Sequence, residues 1–331
     1  MKLDREQKDT ILPAIVPAHP LLLAAHGGAL PARFRQQRVL LVGCGDVGVR
    51  AAKLLRGRVR LLALTSSASR VAELRALGIT PLMGNLDQPA TLWRLSGLAS
   101  RVIHLAPPPG RGRYDLRTKA LMQVLRVRTR PKSLVYGSTS GVYGDCFGEF
   151  ATEARASNAH TDRAIRRIDA EYHVRHFGLA CDTKTSVLRI PGIYAPDRVG
   201  GTPRDRLLKG TPVLLPEDDV YTNHIHAHDL ARACLAALWR GKPRRIYNVN
   251  DDTCLKMGDY FDLAAGLYDL PKPPRVSRRA APQHLTVLQL SFMNESRRLD
   301  NTRMKMELRL QLRYPTVLQG LSSPVMPKRG D

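Results

Sequence analysis

Six residues, Gly43-Cys44-Gly45-Asp46-Val47-Gly48, stand where a short apolar run, Arg38 to Val42, gives way to a stretch with Val47, Ala51, Ala52 and Leu55 at helical spacing. A strand that turns through a G-x-G-x-x-G run into a helix constrains the fold of this chain more than any other feature. The first glycine permits the tight turn, the second lets backbone N–H groups approach a diphosphate, and the third allows close helix packing. The helix N-terminus adds partial positive charge at the same point. The run therefore points to a dinucleotide held at Gly43, Gly45, Asp46, Val47 and Gly48. The competing reading is a turn whose glycines are there for steric reasons alone.

From Arg38 onward, strand-like and helix-like stretches alternate. Strands are predicted over 59–65, 79–83, 101–106, 132–137 and 185–190, and helices over 46–55, 69–77, 89–98, 116–125 and 163–176. That alternation is the pattern of a parallel sheet covered by helices on both faces. After Pro191 it loosens into a short strand near 221–225, a helix over 229–239, a strand over 245–249 and mixed short elements. The fold class is α/β, a Rossmann-like doubly wound parallel sheet with a smaller C-terminal substrate lobe. Residues 1–36 are read as an N-terminal extension, 37–190 as an NAD(P)-binding Rossmann domain, and 191–331 as a mixed α/β substrate-side lobe interleaved with the main sheet.

A site that prefers NAD usually carries Asp or Glu at the end of the second strand, where it accepts hydrogen bonds from the ribose hydroxyls. Here that stretch is Thr65-Ser66-Ser67, with Arg70 close behind. Hydroxyls and a guanidinium suit a 2′-phosphate, so NADP is favoured over NAD, with Ser66 and Arg70 as its partners. Ser67 or Ser69 also suits the start of the second helix as a cap.

The chain has 331 residues and a formal net charge of +23, which attracts polyanions. Its basic residues are spread from Arg33 to Arg298 rather than massed in one arm, and many recur beside apolar positions as a solvated face does. A solvated surface, an anionic small substrate and nucleic acid are the three sources of such charge, and nucleic acid ranks last. The five cysteines, Cys44, Cys146, Cys181, Cys234 and Cys254, form no C-x-x-C pair, which fits a reducing cytoplasm. Pro13, Pro17 and Pro20 interrupt the N-terminal segment around the Leu21 to Ala25 run, so neither a secretory signal nor a membrane association is expected.

With these residues in place, the chain resembles the NAD(P)-dependent epimerase/dehydratase group of the extended and atypical short-chain dehydrogenase/reductases, over about residues 38 to 320. The resemblance rests on the glycine turn, Gly84-Asn85-Leu86-Asp87, His104-Leu105-Ala106 and Ser138-Thr139-Ser140-Gly141-Val142-Tyr143-Gly144. It extends through Leu188-Arg189-Ile190-Pro191-Gly192-Ile193-Tyr194, His224-Ile225-His226-Ala227-His228-Asp229-Leu230, Ser296-Arg297-Arg298 and Tyr314-Pro315-Thr316. It implies that Asn85 and Leu86 lie at the adenine, that Leu105 and Ala106 lie beside the cofactor, and that Thr139 polarises the reacting oxygen, with Ser138 as its stand-in.

The family's general acid/base is a Tyr four residues before a Lys, the Lys lowering the phenol's pKa and gripping the nicotinamide ribose. Aligned on Ala170-Glu171, this chain has Arg163 in place of the Tyr and Arg167 in place of the Lys. Arg167 still suits a ribose hydroxyl. An arginine does not trade protons near neutrality. Tyr136, Tyr143 and Tyr194 are spare phenols, each read first as packing. His224, His226 and His228 alternate and would share one face of an extended segment, a spacing metal sites use, but structural or substrate-contacting roles are the first reading and no metal is expected. Cys44, at a helix N-terminus, is either a thiol of lowered pKa or a small residue that fits.

Three functions remain in play. The first is an NADP-preferring oxidoreductase or epimerase/dehydratase-like enzyme on a small polar or nucleotide-linked substrate, anionic ones included. The second is a non-catalytic NADP-binding sensor or scaffold, suggested by the missing Tyr and Lys. The third is a nucleic-acid-binding protein, suggested by the charge alone. A homodimer is the assembly considered.

Overall fold

The computed structural model describes residues 36–323, so all but the last residue of the N-terminal extension lies outside it. Seven parallel strands form the main sheet: β1 (Arg38–Val42), β2 (Arg60–Thr65), β3 (Thr80–Met83), β4 (Arg101–His104), β5 (Ser133–Thr139), β6 (Lys184–Ile190) and β7 (Arg245–Asn248), in the order β7-β6-β5-β4-β1-β2-β3. β2, for example, reads Arg-Leu-Leu-Ala-Leu-Thr and is buried after its first residue. Such near-continuous apolar strands require cover on both faces. One face is covered by α1 (Asp46–Leu55) and α5 (Ala227–Arg240), whose Ala51, Ala52, Leu230 and Ala231 pack on Leu41, Ile103 and Val135. On the other lie α3 (Leu116–Leu125) and α4 (Asp162–Cys181), with Leu121, Leu125, Val174 and Phe177 against Leu40, Val102, Leu134 and Val187. The short helix α2 (Arg70–Ala76) links β2 to β3.

The sheet's order reverses at β1 and β4, and the C-terminal ends of these two strands open the crevice in which ligands of such sheets bind. β4 sits beside β1 in register, Val42 opposite His104. β5 runs two residues past the predicted Gly137, because Ser138 and Thr139 pair with Arg189 and Ile190 of β6.

The lobe is made of short pieces around a core of its own, in which Leu207, Val213, Met257, Tyr260, Phe261 and Val317 pack. Residues 227–248 leave it to supply α5 and the edge strand β7. Two predicted elements form differently. Residues 89–98 make two single 3₁₀ turns, Pro89–Thr91 and Trp93–Leu95, rather than a helix. Leu92 and Leu95, three apart, both point into the core, as three residues per turn allows. The strand predicted near 221–225 breaks at Asn223. Its side chain donates to the Arg297 carbonyl (2.9 Å) and accepts from the Leu299 N–H (2.8 Å). Tyr221–Thr222 therefore pairs with Leu255–Lys256, and His224–His226 pairs with Gly192–Tyr194.

Candidate functional site

The glycine turn is shaped by two different demands. Gly43 has φ +87°, and a Cβ there would sit 2.2 Å from the Ala106 backbone nitrogen, so only glycine lets the β1 and β4 ends approach. Gly45 has φ −81°, and a Cβ would meet nothing within 4 Å. Its missing side chain leaves open space in front of the α1 N-terminus, where no side chain caps the first N–H groups. An open cradle facing unclaimed N–H donors fits the diphosphate of a dinucleotide. Asp46, at the first position of α1, would repel it, but Arg50 (2.9 Å) and Arg198 (2.8 Å) neutralise its carboxylate. Cys44 is buried, and burial pushes its thiol up to about 11, which runs against a lowered pKa at this helix N-terminus.

A cavity of about 330 Å³ lies against this turn. The structure brings Gly43, Gly45, Asp46, Val47, Gly48, Leu105, Ser138, Thr139 and Arg167 around it. It adds Gly137, Ile190, Pro191, Ile193, Arg198 and Leu230, which sequence reasoning did not assign. Pro191 and Ile193 lie in a stretch already tied to the family resemblance; Arg198 carries no such signal. A larger cavity of about 620 Å³ begins where the first ends and shares Thr139, Arg167, Pro191, Ile193 and Arg198 with it. The lobe supplies the rest of its wall, with Arg206, His224, Tyr260 and Phe261 among others.

At the junction, Thr139 Oγ accepts from the Gly141 N–H at 3.2 Å, so its own proton is free to donate into the cleft. Ser138 is committed elsewhere: its Oγ donates to Glu171 at 2.6 Å. Glu171 is in turn forked onto Arg189 (2.8 and 3.2 Å) in a buried ion pair. Arg167 reaches back to the Tyr136 hydroxyl (3.0 Å) and the Gly137 carbonyl (2.7 Å), which fixes its guanidinium at the meeting point of the two cavities. Arg163, one turn earlier on α4, faces the larger cavity and lies over the Phe292 ring, 4.9 Å from its centroid.

None of the three spare phenols stands free. Tyr136 is fully buried under Arg167, and burial raises its pKa. Tyr143 donates to Asn248 Oδ1 (2.7 Å) and Tyr194 to the Thr316 carbonyl (3.2 Å).

The outlying residues do not join the smaller cavity. Ala106 backs Gly43, Ser66 is exposed, Leu86 packs at the margin of the core, and Asn85 uses its side chain to hold the Asp87 N–H (3.0 Å). Arg70 folds onto the turn and donates to the Cys44 carbonyl at 2.6 Å. It is also forked onto Glu73 (3.0 and 3.1 Å), a carboxylate that the sequence reading did not count at the ribose end.

The three histidines do not share an extended face, because His228 has entered α5 and donates its N–H back to His226 Nδ1 (3.2 Å). His224 stacks on Tyr260 with centroids 4.1 Å apart, and His226 lies against Tyr314 at 3.8 Å with the rings tilted by 34°. Burial holds both rings neutral, down at about 4.

Residues 47–250 match the family model described as NAD dependent epimerase/dehydratase family. The chain belongs to this family. No curated protein matches it. Among solved structures, a functionally unknown conserved protein from Silicibacter pomeroyi DSS is 27% identical, with a TM-score of 0.72 over 86% of this chain and 97% of that one. UDP-glucose 4-epimerase from Thermotoga maritima, solved with UDP-glucose, is 18% identical, with a TM-score of 0.70 over 86% and 96%. The DesIV double mutant, a dTDP-glucose 4,6-dehydratase from Streptomyces venezuelae with NAD and DAU bound, is 18% identical, with a TM-score of 0.69 over 86% and 94%. At that identity the last two show the shared fold, a doubly wound parallel sheet with helices on both faces.

Proposed function

We propose that this chain is an NAD(P)-dependent oxidoreductase or epimerase/dehydratase-like enzyme acting on a small polar or nucleotide-linked substrate, with NADP favoured. The observation that carries the reading is the pair of cavities meeting at Thr139 and Arg167, one lined by the glycine turn and the other by the lobe. Gly43, Gly45, Val47 and Gly48 would hold the diphosphate with backbone N–H groups, and Leu105 and Ala106 would border the dinucleotide. Arg167 would hold the nicotinamide ribose. When bound, the dinucleotide supplies a carbon that accepts or returns a hydride.

Within the chain, Thr139 donates its free proton to the substrate oxygen and orients it. Ser138 steadies the strand end through Glu171 rather than touching substrate. Arg163 and Arg167 supply fixed positive charge and move no proton, so they stabilise an oxyanion electrostatically. The NADP preference rests on Arg70, whose guanidinium already lies on the turn. Glu73 would have to release two of its N–H groups to a 2′-phosphate, which keeps the preference modest.

Arg163 in the phenol's place favours one second reading, a dinucleotide-binding sensor without turnover. Thermal unfolding with NADPH, NADH and no ligand tests the shared part: a ligand at 100 times its Kd stabilises by about 2.7 kcal/mol, a shift of several degrees. No shift with either dinucleotide removes both readings. Turnover on any carbonyl or nucleotide-sugar substrate, reduced at least roughly 100-fold in Thr139→Ala, selects the enzyme. Binding with no turnover across such a panel selects the sensor.

A further inference from the structure

Five arginines line the larger cavity: Arg163, Arg167, Arg198, Arg206 and Arg297. Glu295 is its one acidic lining residue. Two of the cations are matched, since Arg297 pairs with Glu295 at 2.7 Å and Arg198 pairs with Asp46 at 2.8 Å. Among the described residues Arg167 bonds to a phenol and a carbonyl, which are dipoles and leave it without an ion pair. Arg163 and Arg206 have no ion pair among the described residues. Three guanidinium groups therefore face one cavity without an ion pair, Arg163 having only the longer-range attraction of Glu295.

Arg163 and Arg206 are also held in the same manner. Arg206 lies over the Phe261 ring at 4.4 Å, as Arg163 lies over Phe292 at 4.9 Å. Stacking on an aromatic face fixes the plane of a guanidinium while leaving its in-plane N–H donors unspent. Arg206 Nε and Nη2 are enclosed with no hydrogen-bond partner, an expensive state for a cation. Burial lowers the pKa of both side chains; for Arg163, attraction by Glu295 works against this and repulsion from Arg167, four residues on along α4, works with it. Like charges at that spacing destabilise a helix. A chain that keeps these costs has a use for the charge.

We propose that the larger cavity takes a substrate with at least two anionic groups, carboxylate or phosphate, one paired with Arg163 next to Thr139 and another with Arg206. It rests on this cavity being the substrate side of the cofactor cleft. Arg163 thereby changes the chemistry of its position. Where a phenol serves a neutral hydroxyl, a guanidinium selects a group already negative at the reacting end, and a neutral-ended analogue forfeits that charge-assisted pairing.

The test uses the full chain, saturated with NADH so that added anions do not enter the glycine turn. Its thermal unfolding is followed with inorganic pyrophosphate, with malonate, and with chloride at matched ionic strength. Pyrophosphate or malonate is expected to raise Tm by roughly 3 °C beyond chloride. Arg163→Gln and Arg206→Gln should each lose at least half of that gain, while the exposed-surface control Arg130→Gln keeps it. The anion giving the larger shift names the group. If Arg163→Gln does not fold, Arg163→Lys replaces it, and it should retain the charge-driven part of the shift but less than the wild type. A shift equal in the variants, or no larger than that of chloride, overturns the proposal. NADH and NADPH binding, read by fluorescence in parallel samples, separate the two claims: failure of both in the wild type overturns the cofactor reading, while the anion arms compared across the variants still report on Arg163 and Arg206.

Discussion

Along the smaller cavity the wall is glycine and backbone N–H, at Gly43, Gly45 and Gly48; along the larger one it is guanidinium, at Arg163, Arg167 and Arg206. The first wall is set by where β1 and β4 end, and its one carboxylate, Asp46, is already matched by Arg50 and Arg198. The second is assembled from side chains on α4 and on the lobe, and it carries charge that the surrounding protein does not neutralise. A backbone wall is cheap to keep and hard to alter. A side-chain wall is costly to keep, and one substitution changes what it accepts.

The largest effect of pH comes from outside both walls, at a buried carboxyl three residues after β7. Burial raises the Asp251 carboxyl to about 8, and its Oδ2 has no partner. The native protein therefore keeps a proton that the unfolded chain releases near its ordinary value of 3.8. The associated stability is complete below that value and falls as pH rises through 8, at up to about 1.4 kcal/mol per pH unit. Denaturant titrations at pH 5 and pH 8 should show this slope in the wild type and its loss in Asp251→Asn. An unchanged slope would put the pH dependence elsewhere.

The next effects fall on the ion pair and the turn. Glu171→Gln leaves Arg189 buried without its counter-charge and should cost about 3–5 kcal/mol by denaturant unfolding. In Gly43→Ala, strain at positive φ and collision with Ala106 together cost about 3 kcal/mol, a Tm drop of roughly 6–12 °C. Gly45→Ala should hold its Tm within about 1 °C and weaken dinucleotide binding tenfold or more, because its Cβ fills only the cradle. Two alanine variants that behaved alike would erase the distinction between a glycine kept for the fold and one kept for the ligand. The smallest effect is Arg70→Gln, which should lower the NADPH-to-NADH affinity ratio about fivefold, near 1 kcal/mol. No change in that ratio would assign Arg70 to Glu73 and the Cys44 carbonyl alone.

How much of this could be read beforehand divides along the same line. Leu116–Leu125 and Asp46–Leu55 form at their predicted bounds, since apolar spacing and flanking breakers are local signals. So is the glycine turn. Arg198 was invisible because its relevance comes from a contact across 152 positions with Asp46. Glu73 was overlooked although it lies three residues from Arg70 on a predicted helix, a spacing at which side chains pair. The break at Asn223 depends on Arg297 and Leu299, more than 70 residues away. Periodicity carries no information about partners that distant.

The return of α5 and β7 to the main sheet also sets the schedule on which the chain becomes safe from aggregation. When synthesis has passed Ile190, six strands exist, yet the face that α5 covers, with Leu41, Ile103 and Val135, is still bare on that side. Another 50 residues must emerge before Arg240 completes the helix. At 5–20 residues per second that is roughly 3–10 s of exposed apolar sheet on the ribosome. A nascent chain paused in this interval is the form that a holdase chaperone would meet.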